Sequence, residues 1–437
     1  MKKSLALRIR KQLNQSLRAA FALLPRPLRF GLYRKLVNCQ LAPDPRLVLK
    51  IAQTQDELEA CFKLLHDAYV SSGFMVPSAS GMRVTMYHAL PTTTTLCAKF
   101  DGEVVGTISL IRDGVFGFPL QSVFDLNAVR ARQGRIAEVS ALAVHPAFRK
   151  TGGMILFPLM KFMYEYSTSY FDTRHLVIAV NPNRIEMYES LLFFDRLTEN
   201  TVDNYDFANG APAVGAVLDL YHAPELLRQT YARAPPQRNL HGYFLDLKLA
   251  NIQWPPRRYH TTNDPVMTPE LLDYFFNQRT QVFKQLDKRQ QALLHTIYNL
   301  PSYRDCLPEI TPADVQRENL RRCHRYSLLC PGSFEVSTEG LRQTCALEVV
   351  EVSLNGFQAL TQLAIPLQAW GQAQVQLGSN ERSSVLAIAT RMREVGSLTY
   401  YGFRVEQPDR AWRKLVGAVE AGETHEDLEN ASRFFAE

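Results

Sequence analysis

The stretch Arg135–Gly153 constrains the fold of this chain more than any other part of the sequence. It begins with a strand pattern that is apolar on both alternating faces, as in a strand buried at the centre of a sheet. Glu138 and Ser140 are the exceptions, and a carboxylate in such a strand is costly unless it is paired or functional. The turn after the strand contains Gly152 and Gly153 and leads into a helix. Free N–H groups at such a turn can bind phosphate oxygens.

Short strands and helices surround this stretch. A strand is predicted at 47–51, and Thr54 with Glu57 forms the pattern of a capping box at the start of a helix. Asp101-Gly102 separates two apolar runs and predicts a hairpin. The remaining predicted strands are 136–144, 175–180 and 214–220, and the remaining predicted helices are 154–166 and 185–193.

This order of features resembles the GNAT acyltransferase superfamily. The turn Arg149-x-x-Gly152-Gly153 is similar to the superfamily's phosphopantetheine-binding turn. More narrowly, Glu138-x-Ser140 and Phe118-Pro-Leu resemble the acyl-homoserine-lactone synthases and the related N-acyl amino acid synthases. The resemblance covers roughly residues 46–221 and implies an α/β GNAT-like acyltransferase domain with a mixed sheet and flanking helices.

The implied reaction is amide formation from a thioester. The attacking amine has a pKa of about 8 or somewhat above and needs a base, for which Glu138 is the candidate, with Ser140 positioning it. Tyr188 is the candidate proton donor to the departing thiolate, although a role as a core aromatic stays open. A backbone N–H near the bulge of the central strand would stabilise the oxyanion. The expected acyl-donor-binding residues are Leu142, Val144, Arg149, Gly152 and Gly153.

The expected donor is an acyl carrier protein, and the expected acceptor is an amino acid. Met154 stands where the superfamily has Gly or Ala, and it disfavours the pyrophosphate of coenzyme A. No tightly bound cofactor is expected, because the phosphopantetheine thioester of acyl carrier protein is a co-substrate. An arginine is expected to bind the acceptor's carboxylate, with Arg83, Arg112 and Arg130 equally eligible. The histidines and cysteines show no metal-ligand spacing, so no metal is predicted.

Positive charge is concentrated at the N-terminus. The net charge is +6, but the first 46 residues hold 11 Lys/Arg against one acid, Asp44, and the rest hold 38 against 42. This distribution argues against a nucleic-acid binder. Apolar residues recur at helical spacing within 1–24, so a basic amphipathic helix is predicted, bound to an anionic membrane, to an acidic carrier protein or to its own protein. The expected location is the bacterial cytoplasm, peripheral at the inner membrane.

The C-terminal part has an all-β pattern that begins after Pro312. The pattern Arg321-Arg322-Cys-His-Arg325, followed 26 residues later by Glu351-x-Ser353-x-x-Gly356, resembles the PilZ domain, a small β-barrel that binds cyclic di-GMP. The resemblance implies an allosteric nucleotide site. Guanidinium groups suit phosphates and guanine, although Glu351 replaces the family's Asp or Asn. The residues implied in binding are Arg321, Arg322, Arg325, Glu351, Ser353 and Gly356.

Four regions are therefore predicted: an N-terminal segment (1–45), a GNAT-like domain (46–250), a Pro-rich loop with one long helix from Thr268-Pro269 to about Leu300 (251–312), and a PilZ-like barrel (313–437). The leading hypothesis is an N-acyl amino acid synthase regulated by cyclic di-GMP. Two alternatives stay open: an acetyl-coenzyme A-dependent small-amine or protein lysine acetyltransferase, and a non-catalytic cyclic di-GMP sensor that binds acyl carrier protein.

Overall fold

The computed structural model describes residues 23–149, 151–265, 267–311, 325–338, 341–395 and 398–424. The predicted amphipathic helix at 1–24 falls almost wholly outside the described residues, and so do Arg321 and Arg322. Residues 23–265 contain a mixed sheet with flanking helices, and residues 325–424 contain a closed antiparallel barrel. Within the described residues, no helix combines the length and apolar content that crossing a bilayer requires.

The eight-stranded sheet has the order β1-β2-β3-β4-β5-β8-β6, with β7 paired to β8. The β4–β5 pair is parallel and the other pairs of this sheet are antiparallel. This is the expected GNAT-like arrangement. The strands are β1 (Leu47–Ile51), β2 (Thr93–Phe100), β3 (Glu103–Arg112), β4 (Arg135–Val144), β5 (Thr173–Val180), β6 (Asp195–Arg196), β7 (Val202–Tyr205) and β8 (Ala211–Asp219).

In the described part of the sheet domain, five helices of nine or more residues flank the sheet, and a short helix spans Asn127–Arg130. The predicted N-terminus of the second is confirmed, because the Thr54 hydroxyl accepts a hydrogen bond from the Glu57 N–H and caps the helix. The apolar sides of the helices at 55–72 and 156–169 pack on the sheet and build the core. The helices are α1 (Arg26–Lys35), α2 (Gln55–Ser72), α3 (Leu156–Ser169), α4 (Pro182–Leu192) and α5 (Ala223–Tyr231).

Strands β4 and β5 separate halfway along their length. Their parallel pairing ends at Glu138 opposite Val177, although both strands continue. On its other edge, β4 has a bulge, because Ser109 pairs with Ser140 whereas Thr107 pairs with Ala143. The strands therefore open a cleft in the middle of the sheet, beginning at Glu138.

The prediction of one long connector helix is wrong. Residues 269–297 form a helical turn (Pro269–Leu272), a π-helical turn (Asp273–Gln278), a 3₁₀ turn (Phe283–Gln285) and then helix α6 (Lys288–Ile297). Buried aromatic residues of this segment pack on α2 of the sheet domain; the rings of Phe275 and Phe62 meet edge to face with 5.2 Å between their centroids. The segment is therefore packed against the sheet domain through its buried aromatic residues, and it is not an exposed helix between two domains.

The C-terminal barrel has six strands in the closed order β10-β11-β14-β13-β12-β9. The all-β prediction is confirmed, but the sequence pattern missed β11. A terminal helix, α7 (Arg410–Ala421), inserts Trp412 into the barrel core. The strands are β9 (Tyr326–Thr338), β10 (Leu341–Ser353), β11 (Gly356–Thr361), β12 (Trp370–Gln376), β13 (Arg382–Val395) and β14 (Leu398–Gln407).

Arg135 and Arg112 connect the sheet to the barrel and to the segment that leads to it; Arg112 is buried and Arg135 is half-buried. Nη2 of Arg135, the first residue of β4, donates to the carbonyls of Leu328 (3.2 Å) and Val350 (3.3 Å) in the barrel. Arg112, at the end of β3, donates to Thr262 (3.1 Å) in the segment that crosses to the barrel. Burial lowers the pKa of Arg112 to about 9. The barrel therefore contacts the base of the strand that carries Glu138.

Candidate acyltransferase site

A cavity of about 1210 Å³ occupies the cleft between β4 and β5. The structure brings four of the predicted residues to its wall: Glu138, Ser140 and Leu142 from β4, and Tyr188 from α4. The apolar part of the wall comes from the strands and from α3 and α4, and includes Ile108, Met160, Met163, Ile178, Leu192 and Phe194. The cleft can therefore hold an apolar chain next to a carboxyl group.

The Glu138 carboxyl is 2% exposed, and its Oε2 accepts a hydrogen bond of 3.1 Å from the Leu120 N–H. Burial raises the pKa of Glu138 to about 8, although the Leu120 hydrogen bond opposes this rise. A carboxylate with such a pKa can take a proton from an ammonium group of similar acidity. Phe118-Pro-Leu thus has a structural role, because its turn (Pro119–Ser122) orients the candidate base.

Three tyrosines stand near Glu138. Burial, reinforced by the nearby Glu138 carboxyl, raises the pKa of Tyr69, Tyr87 and Tyr205, that of Tyr87 to about 12. These tyrosines therefore remain neutral hydroxyl groups near neutral pH. No sequence pattern predicts these three tyrosines as site residues, because each lies on a different element and no regular spacing connects them.

The position of Tyr188 is compatible with both roles considered for it, that of a proton donor and that of a core aromatic. It lines the cavity, and its ring also packs against Phe194 with 5.9 Å between centroids. Burial raises its pKa, so the hydroxyl retains its proton at neutral pH. A neutral phenol at this position can donate a proton to a thiolate.

The bulge of β4 lies at Ala141–Leu142. Ala141 has φ +56°, and the two residues together face Ile108 of β3. Because β5 has already separated, no strand in the described part of the chain pairs with this edge of β4 beyond Glu138. Backbone N–H groups at this edge are the candidate oxyanion donors, slightly upstream of the predicted range 142–144.

The predicted phosphate-binding turn is not part of the cavity wall, to which Val144, Arg149, Gly152 and Gly153 do not contribute. Nε of Arg149 donates to the Val144 carbonyl at 2.8 Å, so this guanidinium helps to close the turn. Both glycines have positive φ, and a Cβ at Gly153 would lie 2.4 Å from the Phe157 ring. Met154 is half-buried against the core of the domain.

The three arginines that could bind the acceptor's carboxylate lie in different surroundings. Arg112 is buried and donates to Thr262 in the segment that leads to the barrel, and Arg130 is paired with Asp113 at 2.8 Å at the surface. Arg83 lies beside Ser140 and Ala141 in a small recess next to the main cavity. Its guanidinium stacks on Tyr69 (4.2 Å) and donates to the Phe207 carbonyl at 2.6 Å. Arg83 is therefore the arginine of the three that can reach an acceptor near Glu138.

Helix α1 closes one side of the cavity, which the sequence analysis did not foresee. Arg29 and Tyr33 line the wall, and the Arg29 guanidinium is paired with Glu186 of α4. Part of the basic N-terminal segment therefore belongs to the site. Among the residues that the structure describes, no group of three or more His, Cys, Asp or Glu could hold a metal ion.

Comparisons with known proteins support the acyltransferase assignment. Residues 60–219 match the family model of the N-acyl amino acid synthase FeeM. This supports the prediction of an amide-forming acyltransferase for that part of the chain. The match ends at residue 219, so the PilZ assignment of the barrel stays a prediction. A search of the curated proteins finds no match.

Several solved structures are similar to the sheet domain. FeeM from uncultured soil microbes is 25% identical, with 43% of this chain and 99% of that chain covered and a TM-score of 0.37. The coenzyme A-dependent acyl-homoserine lactone synthase BjaI is 18% identical, with coverages of 42% and 89% and a TM-score of 0.33. Escherichia coli ElaA is 13% identical, with coverages of 40% and 99% and a TM-score of 0.27.

Proposed function

We propose that this protein is an N-acyl amino acid synthase, which transfers a fatty acyl group from acyl carrier protein to the amine of an amino acid. The observation that carries the proposal is the Glu138 carboxyl, buried at the point where β4 and β5 separate and facing a cavity of about 1210 Å³. An acetyl group needs only a small part of that volume. The cavity therefore favours a long acyl group over the acetyltransferase alternative.

In the proposed reaction the amine attacks the thioester carbonyl, a C–N bond forms and the C–S bond breaks. Glu138 accepts the proton of the amine, and a phenol returns a proton to the departing thiolate, with Tyr188 as the candidate. The free edge of β4 beyond Glu138 would donate N–H groups to the oxyanion between these steps. Each group required by this chemistry has a counterpart at the cleft.

Acyl carrier protein is the proposed donor because of the surroundings of the cavity and the turn. The N-terminal segment is basic, and carrier proteins are acidic. The phosphopantetheine turn carries Met154 in place of a small residue. A donor with one phosphodiester suits this turn better than one with a pyrophosphate. Higher kcat/KM for acyl carrier protein than for acyl coenzyme A, with a difference that shrinks as salt rises, is the expected result.

Arg83 is the proposed anchor for the carboxylate of the acceptor. It lies next to Ser140, and its ring neighbours Tyr69 and Phe207 hold the guanidinium by cation–π contacts at 4.2 and 4.7 Å. A carboxylate bound there places the α-amine close to the face of β4 that carries Glu138. This arrangement favours a free amino acid over a simple amine.

Substitution of Glu138 tests the proposal. Glu138→Gln keeps an acceptor for the Leu120 N–H but removes the base, so turnover should fall by about 10² to 10⁴. Free-thiol release from acyl carrier protein measures it. Glu57→Gln is the matched control, because Glu57 is also buried but is paired with Lys50 and Lys99 away from the cavity. Wild-type turnover in Glu138→Gln would falsify the assignment of the base.

The pH dependence gives a second test of the same residue. Glu138 acts as a base only when it is deprotonated, and burial raises its pKa to about 8. The kcat/KM should therefore fall as pH decreases below about 8, instead of near the ordinary carboxyl pKa of about 4.3. A profile that is flat from pH 5.5 to 8 would contradict this role.

Cyclic di-GMP is the proposed regulator, and it would bind the barrel. Arg325 and Glu351, distant in sequence, lie at the same end of the barrel with 3.2 Å between their charged groups. The Ser353 hydroxyl donates to the Gly356 carbonyl at 3.1 Å, and a Cβ at Gly356 would lie 2.5 Å from the Phe403 oxygen. The motif thus forms a compact turn beside two charged side chains, as the PilZ resemblance implies.

A further inference from the structure

Helix α1 (Arg26–Lys35) packs on its neighbours with the polar face inward. Arg26 is paired with Glu189 at 2.9 Å, and Nε of Arg29 donates to Glu186 at 3.1 Å. Nε of Arg34 donates to the Ser190 carbonyl at 3.1 Å. Its arginines therefore attach α1 to α4, which is the reverse of the usual orientation of a surface helix.

A different face of α1 exposes its leucines. Leu28, Leu32 and the C-cap residue Leu36 recur every four residues along one side, and they are 58%, 40% and 79% exposed. Leu23, just before the helix, is 86% exposed. Isolated exposed leucines are ordinary, but a continuous row of them on one helix face marks an interaction surface. We refer to Leu23, Leu28, Leu32 and Leu36 as the leucine row.

The charges around the leucine row are positive. Lys35 is exposed next to it, and the Arg26 side chain is 61% exposed in spite of its ion pair. The sequence contains no Asp or Glu before Asp44. A surface that is apolar with a basic border matches the interface of an anionic bilayer, where leucines enter the acyl boundary and cations meet the headgroups. A carrier protein would match the charge but not a row of this apolar length.

We propose that the leucine row of α1 binds the surface of anionic membranes and holds the acyltransferase cavity at the bilayer. The same helix lines the cavity with Arg29 and Tyr33, which lie on the face next to the leucine row. A membrane bound to the row would lie within one helix diameter, about 10 Å, of the cavity wall. The benefit to the enzyme rests on the proposed function, since an N-acyl amino acid carries an apolar chain that enters a bilayer more easily than water.

Vesicle binding of the full-length protein tests this surface without any need for catalysis. The variant Leu28→Ser/Leu32→Ser/Leu36→Ser should bind vesicles of phosphatidylcholine and phosphatidylglycerol at least about tenfold more weakly than the wild type. The matched control is Leu226→Ser/Leu363→Ser/Leu367→Ser, in which three leucines of 39%, 45% and 50% exposure are removed elsewhere. The control should bind like the wild type.

The other outcomes also decide the proposal. Wild-type binding by the α1 variant overturns it and assigns membrane contact to another segment, such as residues 1–22. Unchanged vesicle binding with a raised KM for acyl carrier protein also overturns it, because the row would then belong to the carrier protein. Loss of binding with unchanged soluble turnover supports it. Loss of binding in a protein that shows no acyl transfer supports the surface and counts only against the proposed function.

Discussion

Glu138 combines two properties that a single residue rarely has, since it lies inside the sheet and still faces a cavity. Its environment favours the protonated form, because burial outweighs the hydrogen bond from Leu120. The unfolded chain has no such preference, so its carboxyl group titrates near the ordinary value. The residue should therefore reduce the stability of the protein at the pH at which it works as a base.

The direction in which Glu138 changes the stability of the protein with pH is testable. Between pH 4.5 and 8 the unfolded chain has released the Glu138 proton and the folded chain has not, so the free energy of unfolding falls as pH rises. Glu138→Gln removes the titration, and at pH 8 it should be more stable than the wild type by at least about 1 kcal/mol. Trp254 stacks on Tyr170 of the sheet domain, so tryptophan fluorescence in urea follows this transition. Equal midpoints at pH 5 and 8 would show that Glu138 has an ordinary pKa.

Arg83 gives a second prediction at this scale. Arg83→Met keeps an unbranched chain between Tyr69 and Phe207 but removes the charge, so the KM for the amino acid should rise about 10- to 100-fold. The KM for the acyl donor should change little. Arg130→Met is the matched control, because that guanidinium is paired with Asp113 away from the cavity. Similar kinetics in the two variants would remove Arg83 from the acceptor site.

At the scale of elements, sequence patterns correctly predicted the features that depend on neighbouring residues, such as strands and tight turns. The strand 47–51 was predicted with the bounds that the structure has, and the hairpin at Asp101-Gly102 follows from alternation and turn chemistry. The cleft at Glu138 depends on where β5 separates from β4, and the recess of Arg83 depends on a contact with Phe207, 124 residues away. No sequence pattern indicates where the cleft opens or where the recess of Arg83 lies. The sequence could therefore indicate candidate residues of the site but not the shape of the site.

The segment 267–307 shows how tertiary contacts override a helical pattern. The π-helical turn at 273–278 and the 3₁₀ turn at 283–285 place Phe275, Phe276 and Phe283 in one core with Phe62 of α2. Phe275→Ala should therefore destabilise the sheet domain by about 3 to 5 kcal/mol, whereas Val282→Ala, partly buried in the same cluster, should cost less. Urea unfolding followed by fluorescence measures both. A small effect of Phe275→Ala would mean that this segment is an independent connector.

At the scale of the whole molecule, Arg135 connects the barrel strands that carry the proposed nucleotide-binding residues with the strand that carries Glu138. The carbonyls that it contacts, those of Leu328 and Val350, lie within three residues of Arg325 and one residue of Glu351 in the barrel. Along β4, Arg135 is three residues from Glu138. A ligand that rearranges Arg325 and Glu351 would therefore act on β4 directly.

The proposed coupling predicts a specific result for Arg135→Gln. Cyclic di-GMP should still bind the barrel, because its ligand groups are intact, but the nucleotide should no longer change turnover. In the wild type the expected coupling is about 5- to 150-fold, and by reciprocity a bound substrate changes the nucleotide affinity by the same factor.

Arg325→Ala is the complementary variant, in which the heat of nucleotide binding should disappear while basal turnover persists. Calorimetry combined with turnover at saturating nucleotide separates the cases. If Arg135→Gln responds to the nucleotide as the wild type does, the signal passes elsewhere. If the wild type shows no heat of binding, the barrel is not a receptor for cyclic di-GMP, and Arg135 serves only to hold the two domains together.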